Sequence, residues 1–486
     1  MLFRQIFDEK LAQYAYLIGC RETGEALLVD PERDIDRYLN LADDEGVEIV
    51  AVAETHIHAD FLSGAREFAE RFDTTLYLSD EGDENWAYEW AQRPASGRDG
   101  SKYDVQWLCD GDPFTVGTIE ITALHTPGHT PEHLSFLVAD TGGGADASMG
   151  IVTGDFVFVG SLGRPDLLES AADVEGAMEP SARTLYDSVQ RFLTLPDRLQ
   201  VWPGHGAGSA CGTALGAVPQ STVGYEKQFN PMIEAARQDE DTFVDAILDA
   251  QPEPQMYFAR MKRDNKAGPP VLGAVPTPNE LTATELVDVA SDAETLIIDT
   301  RRDRSAFMAR HIPGALYAPM NSTFNTVVGS LVMDETTPIA LIVDEAGVGE
   351  AVRDLIRIGY DNVQGFATTG TLHRYFRDDG ASETIDEITF DDLGTRLQSG
   401  DAQVLDVRYR SEYEDGHVDG AVNASHTRLP EYEADLPTDE TLLVHCQSGA
   451  RAAVASAFLR RAGHDVVYVN DSFDNYAATQ SDAAAA

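Results

Sequence analysis

The sequence predicts a multidomain α/β protein: a stack of two sheets between helices, then two smaller α/β units. Three observations carry that expectation. Up to about residue 250, apolar strand-like runs alternate with helical stretches. Residues 268–278, from Gly268-Pro269-Pro270 to Pro276-Thr277-Pro278, form a Pro- and Gly-rich break. Beyond it the chain repeats itself at a spacing of about 105 residues, the size of a domain rather than of a solenoid unit. The boundaries are then 1–265 for the first domain, 266–280 for a linker, 281–378 for the first copy and 384–480 for the second.

In the first domain, residues 15–19 and 25–30 read as paired strands and 34–42 as a helix. Residues 47–53 form an apolar run that reads as a buried strand, and Ser63 to Phe68 opens a helix. Residues 119–124 alternate like a half-buried strand, and 134–138 and 151–152 read as further strands. Gly142-Gly143-Gly144, between Asp140 and Asp146, marks a surface turn. After the break, Leu296-Ile297-Ile298-Asp299-Thr300-Arg301 recurs as Val404-Leu405-Asp406-Val407-Arg408, and His311-Ile312-Pro313-Gly314-Ala315 as His417-Val418-Asp419-Gly420-Ala421. The Asp-to-His gap is 12 positions in one copy and 11 in the other. Leu341-Ile342-Val343-Asp344 matches Leu443-Val444-His445-Cys446, and a helix follows each, at 348–358 and 450–462.

Thr55-His56-Ile57-His58-Ala59-Asp60-Phe61 lies between the strand at 47–53 and the next helix. Two imidazoles and a carboxylate thus sit at the carboxyl end of a strand, where α/β folds place their chemistry. Two residues apart in extended chain, His56 and His58 project to one side. A His pair alone is also what a polar loop contains. Three later segments argue against that reading: Thr126-Pro127-Gly128-His129-Thr130, Thr153-Gly154-Asp155 and Pro203-Gly204-His205-Gly206. Each again sets a His or Asp beside Gly after a short apolar run.

This set resembles the metallo-β-lactamase superfamily, whose first motif is H-x-H-x-D-H. Phe61 stands where the family has its last His, a ligand of a second metal, so the resemblance implies a single metal here. Within the superfamily the set is most similar to persulfide dioxygenases. That resemblance implies an αββα sandwich and one Fe(II) per chain on His56, His129 and Asp155. His58, Asp60 and His205 would orient water or ligands around them. Arg164, in Gly163-Arg164-Pro165-Asp166, and Tyr225 and Lys227, in the 221–227 stretch, are substrate-binding candidates; a simple turn is the rival reading of the first segment. Arg260-Met261-Lys262-Arg263 is the most basic cluster and reads as a solvated linker face or a carboxylate-binding site.

A second chemistry needs no metal. Cys446-Gln447-Ser448-Gly449-Ala450-Arg451 follows a strand and opens a helix. Such a loop aims backbone N–H groups at one point, the helix dipole adds positive potential, and Arg451 adds a charge. That setting favours a thiolate nucleophile. The C-x-x-G-x-R spacing, with the upstream Asp-x-Arg and His-x-x-Gly-Ala, resembles the rhodanese active loop, and both copies resemble rhodanese domains, small α/β units with parallel sheets. A phosphatase loop has one more residue between Cys and Arg. In the first copy Asp344 takes the nucleophile's slot in a loop two residues shorter, so 281–378 is expected to be catalytically silent, a spacer or docking surface.

Composition bounds the partners. Asp and Glu number 83 against 35 Lys and Arg, a formal charge of −48, and only five basic residues are Lys. Such a field repels nucleic acid. A dispersed acidic, Lys-poor surface points to a salt-loving host, where ions screen the repulsion. The four cysteines, Cys20, Cys109, Cys211 and Cys446, show no C-x-x-C and no disulfide frame. Without an apolar leader or a membrane-length run, a reduced, soluble cytoplasmic protein is expected.

The resemblances together imply an enzyme that oxidises the sulfane sulfur of a low-molecular-weight thiol persulfide with O2 to sulfite. Sulfur transfer at Cys446 would be coupled to it, in either direction between thiosulfate and persulfide. Two His and one carboxylate suit Fe(II) oxygen chemistry, whereas zinc with three ligands suits hydrolysis. The rival enzyme is a glyoxalase-II-like thioester hydrolase with an appended sulfurtransferase. The non-enzymatic rival is a sulfur carrier or redox sensor with a structural metal. The family implies an even-numbered homo-oligomer.

Overall fold

The structure is a computed structural model describing residues 1–92, 102–167, 176–212, 215–249, 251, 253–397 and 402–477. It divides into two compact units: Met1–Val275 with Ile356–Gly359, and Pro276–Leu355 with Tyr360–Ala486.

The first unit contains two six-stranded sheets. One runs in chain order: β1 (Leu2–Asp8), β2 (Gln13–Gly19), β3 (Glu25–Val29), β4 (Glu48–Ala53), β5 (Thr75–Ser79) and β6 (Val105–Leu108). Its first three strands are antiparallel, and β3 to β6 are parallel. The second sheet uses β7 (Pro113–Val116), β8 (Ile119–His125), β9 (Leu134–Asp140), β10 (Gly150–Gly154), β13 (Gln200–Pro203) and β14 (Ser221–Thr222), in the order β14-β13-β10-β9-β8-β7. The short β11 (Val157–Phe158) and β12 (Ser161–Leu162) form a separate hairpin.

Alternation along β2 explains the layering. Tyr14, Tyr16 and Ile18 face a core shared with Ile121, Phe136 and Trp202 of the other sheet. Ala15 and Leu17 face a second core with Tyr38, Ala42 and Phe68 from the helices Asp36–Glu45 and Ala65–Arg71. The outer side of the second sheet packs on the helix Met178–Leu193 through Leu185, Val189 and Phe192. The stack of two sheets between helices expected from sequence is therefore observed, and β2 is buried on both faces. The sequence reading missed β1, whose ends alone are fully buried, and so lacked its edge strand.

The second unit holds two five-stranded parallel sheets. The first uses β15 (Asn279–Glu280), β16 (Leu296–Asp299), β17 (Leu316–Tyr317), β18 (Ile339–Ile342) and β19 (Val363–Ala367), ordered β15-β19-β18-β16-β17. The second uses β20 (Asp386–Ile388), β21 (Ala402–Asp406), β22 (Val422–Asn423), β23 (Thr441–His445) and β24 (Val466–Val469), ordered β20-β24-β23-β21-β22. The two orders are the same, as a duplication requires. The repeated residues make the same contacts in both copies, tying the end of a strand to the helix segment that follows it. Arg301 grips Asp299 and the Arg310 carbonyl; Arg408 grips Asp406 and the Gly416 carbonyl. His311 stacks on Phe307 at 4.2 Å, and His417 on Tyr413 at 3.9 Å.

The helix Phe258–Ala267 runs past residue 265, and Asn279–Glu280 already pairs with β19, so the segment lacking regular structure is 268–278. Met261 of the basic cluster is buried in that helix, and Lys262 lies 4.0 Å above the Trp86 ring. Among the described residues no helix is long and apolar enough to cross a membrane.

Candidate functional site

Four chain crossings meet at one end of the first unit's sheets: the loops after β4, β8, β10 and β13. Gly154 closes β10 at φ +48°, and a Cβ there would come within 2.7 Å of Thr55 Oγ1 and His133 Nε2. Only glycine fits that close approach. Next to it, His56, His129 and Asp155 place one donor atom each within 4.8 Å of one another, and all three residues are buried. His129 Nε2 lies 3.5 Å and His56 Nε2 3.9 Å from Asp155 Oδ2.

The hydrogen bonds behind these atoms set their protonation. Asp30 accepts from the Thr55 backbone N–H at 2.7 Å and from Thr55 Oγ1 at 2.8 Å. With its proton so committed, Thr55 Oγ1 accepts from His56 Nδ1 at 2.9 Å. His129 Nδ1 donates to the Arg164 carbonyl at 2.9 Å. Both rings therefore carry their proton on Nδ1 and present a bare Nε2 lone pair. Burial lowers the pKa of His129 and holds that of His56 well below the ordinary value, with neighbouring imidazoles adding to the effect at His56. Asp155 Oδ2 is buried without a hydrogen-bond partner, while Oδ1 accepts from His205 Nδ1 at 2.7 Å. Burial disfavours the Asp155 charge, but His205 and then His129 outweigh it and hold the carboxyl below its usual range. Two neutral imidazoles and one carboxylate with an orphaned oxygen make a donor set that fits a divalent cation.

His58 and His205 take other roles. The His58 ring lies 4.2 Å from His56, as the shared-side expectation requires, yet its Nε2 turns away to within 3.2 Å of Asp30 Oδ1 and 3.5 Å of Glu54 Oε2. Burial opposes its charge, and Asp30 and Glu54 raise its pKa to about 9. His205 bridges Asp155 and Asp60, with Nε2 2.8 Å from Asp60 Oδ2. Burial lowers its pKa, but the two carboxylates win and raise it well above the usual value. Phe61 is fully buried with its ring 4.3 Å from His58. Cys211 joins Asp60 and His205 in a second group of converging donors, and Asp30, Glu54 and His58 make a third.

The sequence reading missed several residues at this site. Asp30, at φ +51°, orients His56 through Thr55 from 25 positions upstream. His133 accepts the Asp155 N–H at 3.1 Å and follows His129 by four residues, a spacing that was legible. Asn265 clamps the motif loop, donating to the His58 and Phe61 carbonyls and accepting from Ser63 N.

The substrate candidates are not gathered at this centre. Arg164 is buried, forks onto Asp166 at 2.6 and 2.8 Å and reaches the Ala210 carbonyl, so its guanidinium is spent on its own turn while its carbonyl fixes His129. Lys227 is tied to Asp197 and to the Leu195 carbonyl, and Tyr225 is 49% exposed against Phe229. No described contact joins either to His56, His129 or Asp155.

In the second unit Cys446 directly follows β23 and is buried. Gly449 at φ +82° turns the chain into the helix Ala450–Ala462, where a Cβ would strike Asn470 and the Tyr468 hydroxyl. Arg451 pairs with Glu412 at 2.5 and 2.7 Å, so its charge is shared and the pair braces the loop. Burial lowers the Arg451 pKa, but Glu412 and then Cys446 outweigh burial and raise it. In the other copy the ladders correct the sequence alignment. Asp299 pairs with Ile342 as Asp406 pairs with His445, so Val343, not Asp344, stands opposite Cys446. The route to the next helix is also longer, not two residues shorter, because a turn of 3-10 helix at Glu345–Gly347 precedes Val348. Asp344 instead caps the following strand–helix loop, accepting from Thr369 N and Oγ1.

Comparison with known proteins agrees with this geometry. The sequence model of the metallo-beta-lactamase superfamily matches residues 9–205, and that of the rhodanese-like domain matches 389–479. A metallo-beta-lactamase structure from Staphylococcus aureus subsp. aureus COL is 38% identical, with a TM-score of 0.65, covering 76% of this chain and 98% of that one. The chain belongs to the metallo-β-lactamase superfamily and carries a rhodanese-like domain. The mitochondrial persulfide dioxygenase ETHE1 of Bos taurus is 26% identical over 264 residues, 53% of this chain and 86% of that protein. A beta-lactamase hydrolase-like protein of Xylella fastidiosa (strain 9a5c) is 28% identical over 257 residues, and the chain spans 53% of its length.

Proposed function

We propose that the first unit is a persulfide dioxygenase with a mononuclear Fe(II) held by His56, His129 and Asp155, and that Cys446 carries a coupled sulfurtransferase. The single observation behind the reading is the convergence of two bare Nε2 atoms and one orphaned carboxylate oxygen in a buried pocket. A ferrous ion held by two His and one carboxylate would supply oxygen chemistry. One persulfide, one O2 and one water then give one thiol and one sulfite with its protons. The chain's own part is to hold His56 and His129 in the Nδ1–H tautomer and to keep Asp155 charged against burial through His205. The likeness to a persulfide dioxygenase supports the choice of substrate class. The acidic, Lys-poor composition supports a salt-adapted host in which the physiological thiol is open.

The Asp60, His205 and Cys211 group favours a second reading, a dinuclear thioester hydrolase of the glyoxalase-II kind. The test is oxygen uptake and sulfite release from glutathione persulfide, run beside hydrolysis of a glutathione thioester. Uptake with sulfite and no thioester cleavage supports the first reading; hydrolysis without uptake replaces it with the second.

A further inference from the structure

The copy without a nucleophile still reaches the loop that has one. Arg304, the first residue of the helix Arg304–Ala309 in the first copy, donates from Nη2 to the Ser448 carbonyl at 3.0 Å, inside the Cys446 loop. It stands 3.3 Å from where a Cβ on Gly449 would be. Arg302 is anchored by Nε to the Met320 carbonyl at 2.8 Å. Neither arginine meets a carboxylate in an ion pair among the described residues. Together with Tyr317, Asn321, Ser322 and Ala450 they line a cavity of about 410 Å³ at the foot of the helix that follows Cys446. Tyr468 braces the loop, its hydroxyl donating to the Gly449 carbonyl at 3.0 Å; burial raises its pKa most, Arg304 opposes that and Cys446 adds to it.

In a chain of net charge −48, two guanidinium groups with nitrogens to spare line a cavity beside the loop that carries the thiol. We propose that the first copy is the substrate-recruiting half of the sulfurtransferase: Arg302 and Arg304 form an anion subsite that holds the oxyanion end of thiosulfate or sulfite against the Cys446 loop. This rests on the sulfur-transfer reading above. In the forward step the Cys446 thiolate attacks the outer sulfur of thiosulfate. The S–S bond of the donor breaks, its electron pair leaves with sulfite, and the new S–S bond makes a Cys446 persulfide anion. Total charge is unchanged, and the departing sulfite dianion is released beside the same two arginines. Their planar forks suit a tetrahedral or pyramidal oxyanion.

Two measurements on the full chain test it. The first is alkylation of Cys446, followed by mass spectrometry, with anionic iodoacetate and with neutral iodoacetamide. In the Arg302→Gln/Arg304→Gln variant the iodoacetate rate falls about tenfold relative to iodoacetamide, and Arg304→Lys recovers most of the loss. The second is the KM for thiosulfate in sulfur transfer to cyanide, which rises about tenfold with kcat little changed. An unchanged ratio of the two alkylation rates overturns the proposal, whatever the transfer assay reads. A shifted ratio in a chain with no sulfurtransferase activity upholds the anion subsite and overturns the transfer reading instead.

Discussion

The metal group and the cysteine loop secure a reactive atom by opposite means. The metal group spends side chains: each donor atom is aimed by a second side chain or carbonyl, Thr55 and Asp30 behind His56, Arg164 behind His129, His205 behind Asp155. The cysteine loop spends backbone, with one thiol at the end of a parallel strand and a glycine turn into a helix. The first design spreads its dependence over distant chain segments. The second gathers its reactive loop in six consecutive residues, Cys446 to Arg451, braced from outside by Glu412 and Tyr468. The two proposed chemistries are therefore expected to be separable, and substitutions test that.

The largest effect is expected at the thiol. Cys446→Ser lowers sulfur transfer by about a thousandfold or more, because a hydroxyl is a poor sulfur nucleophile, while oxygen uptake on supplied persulfide stays near wild type. Loss of both activities would break the comparison. Next comes the anchor shared by the two copies. Asp406→Ala leaves the Arg408 charge buried without its partner and costs about 3–5 kcal/mol, read by amide hydrogen exchange in β23. Asp299→Ala costs less, since Arg301 is more exposed, and leaves Cys446 reactivity unchanged.

A pH effect of about 3 kcal/mol should appear beside the loop. Burial, the first cause, lowers the His445 pKa to about 4, from an ordinary value of 6.5. The folded state therefore resists a proton that the unfolded chain accepts. The stabilising difference is complete above about pH 6.5 and is lost as pH falls toward 4. Hydrogen exchange of β23 amides across that window detects the loss, and His445→Leu reduces it, leaving the share of His426, whose pKa burial lowers to about 3. A flat wild-type profile contradicts the buried neutral ring. The smallest effect is at Thr55. Thr55→Val removes the acceptor for His56 Nδ1, frees the wrong tautomer and weakens iron binding about 10- to 100-fold, without touching alkylation of Cys446.

What was legible in the sequence follows the same division. The Cys446 loop is local, so strand, spacing and helix could be read from adjacent residues. His56, His129 and Asp155 came from the resemblance of their three segments to a family pattern, and the structure brings their donor atoms together. Thr55, Asp30 and Asn265 were not, since a single polar residue shows its partner only once the sheets bring distant segments together. Lys227 was a substrate-binding candidate, yet its ammonium is engaged with Asp197 and the Leu195 carbonyl. Matching Asp344 to Cys446 failed because apolar identity aligned the tetrapeptides, whereas register is set by the ladder with β16 and β21.

The most direct test counts metal on the chain prepared without oxygen and titrated with Fe(II). The account predicts one iron per chain, none in His129→Ala or Asp155→Ala, and oxygen uptake with sulfite release that rises in proportion to iron bound. Two metals per chain, or full uptake in the Asp155→Ala variant, would contradict it.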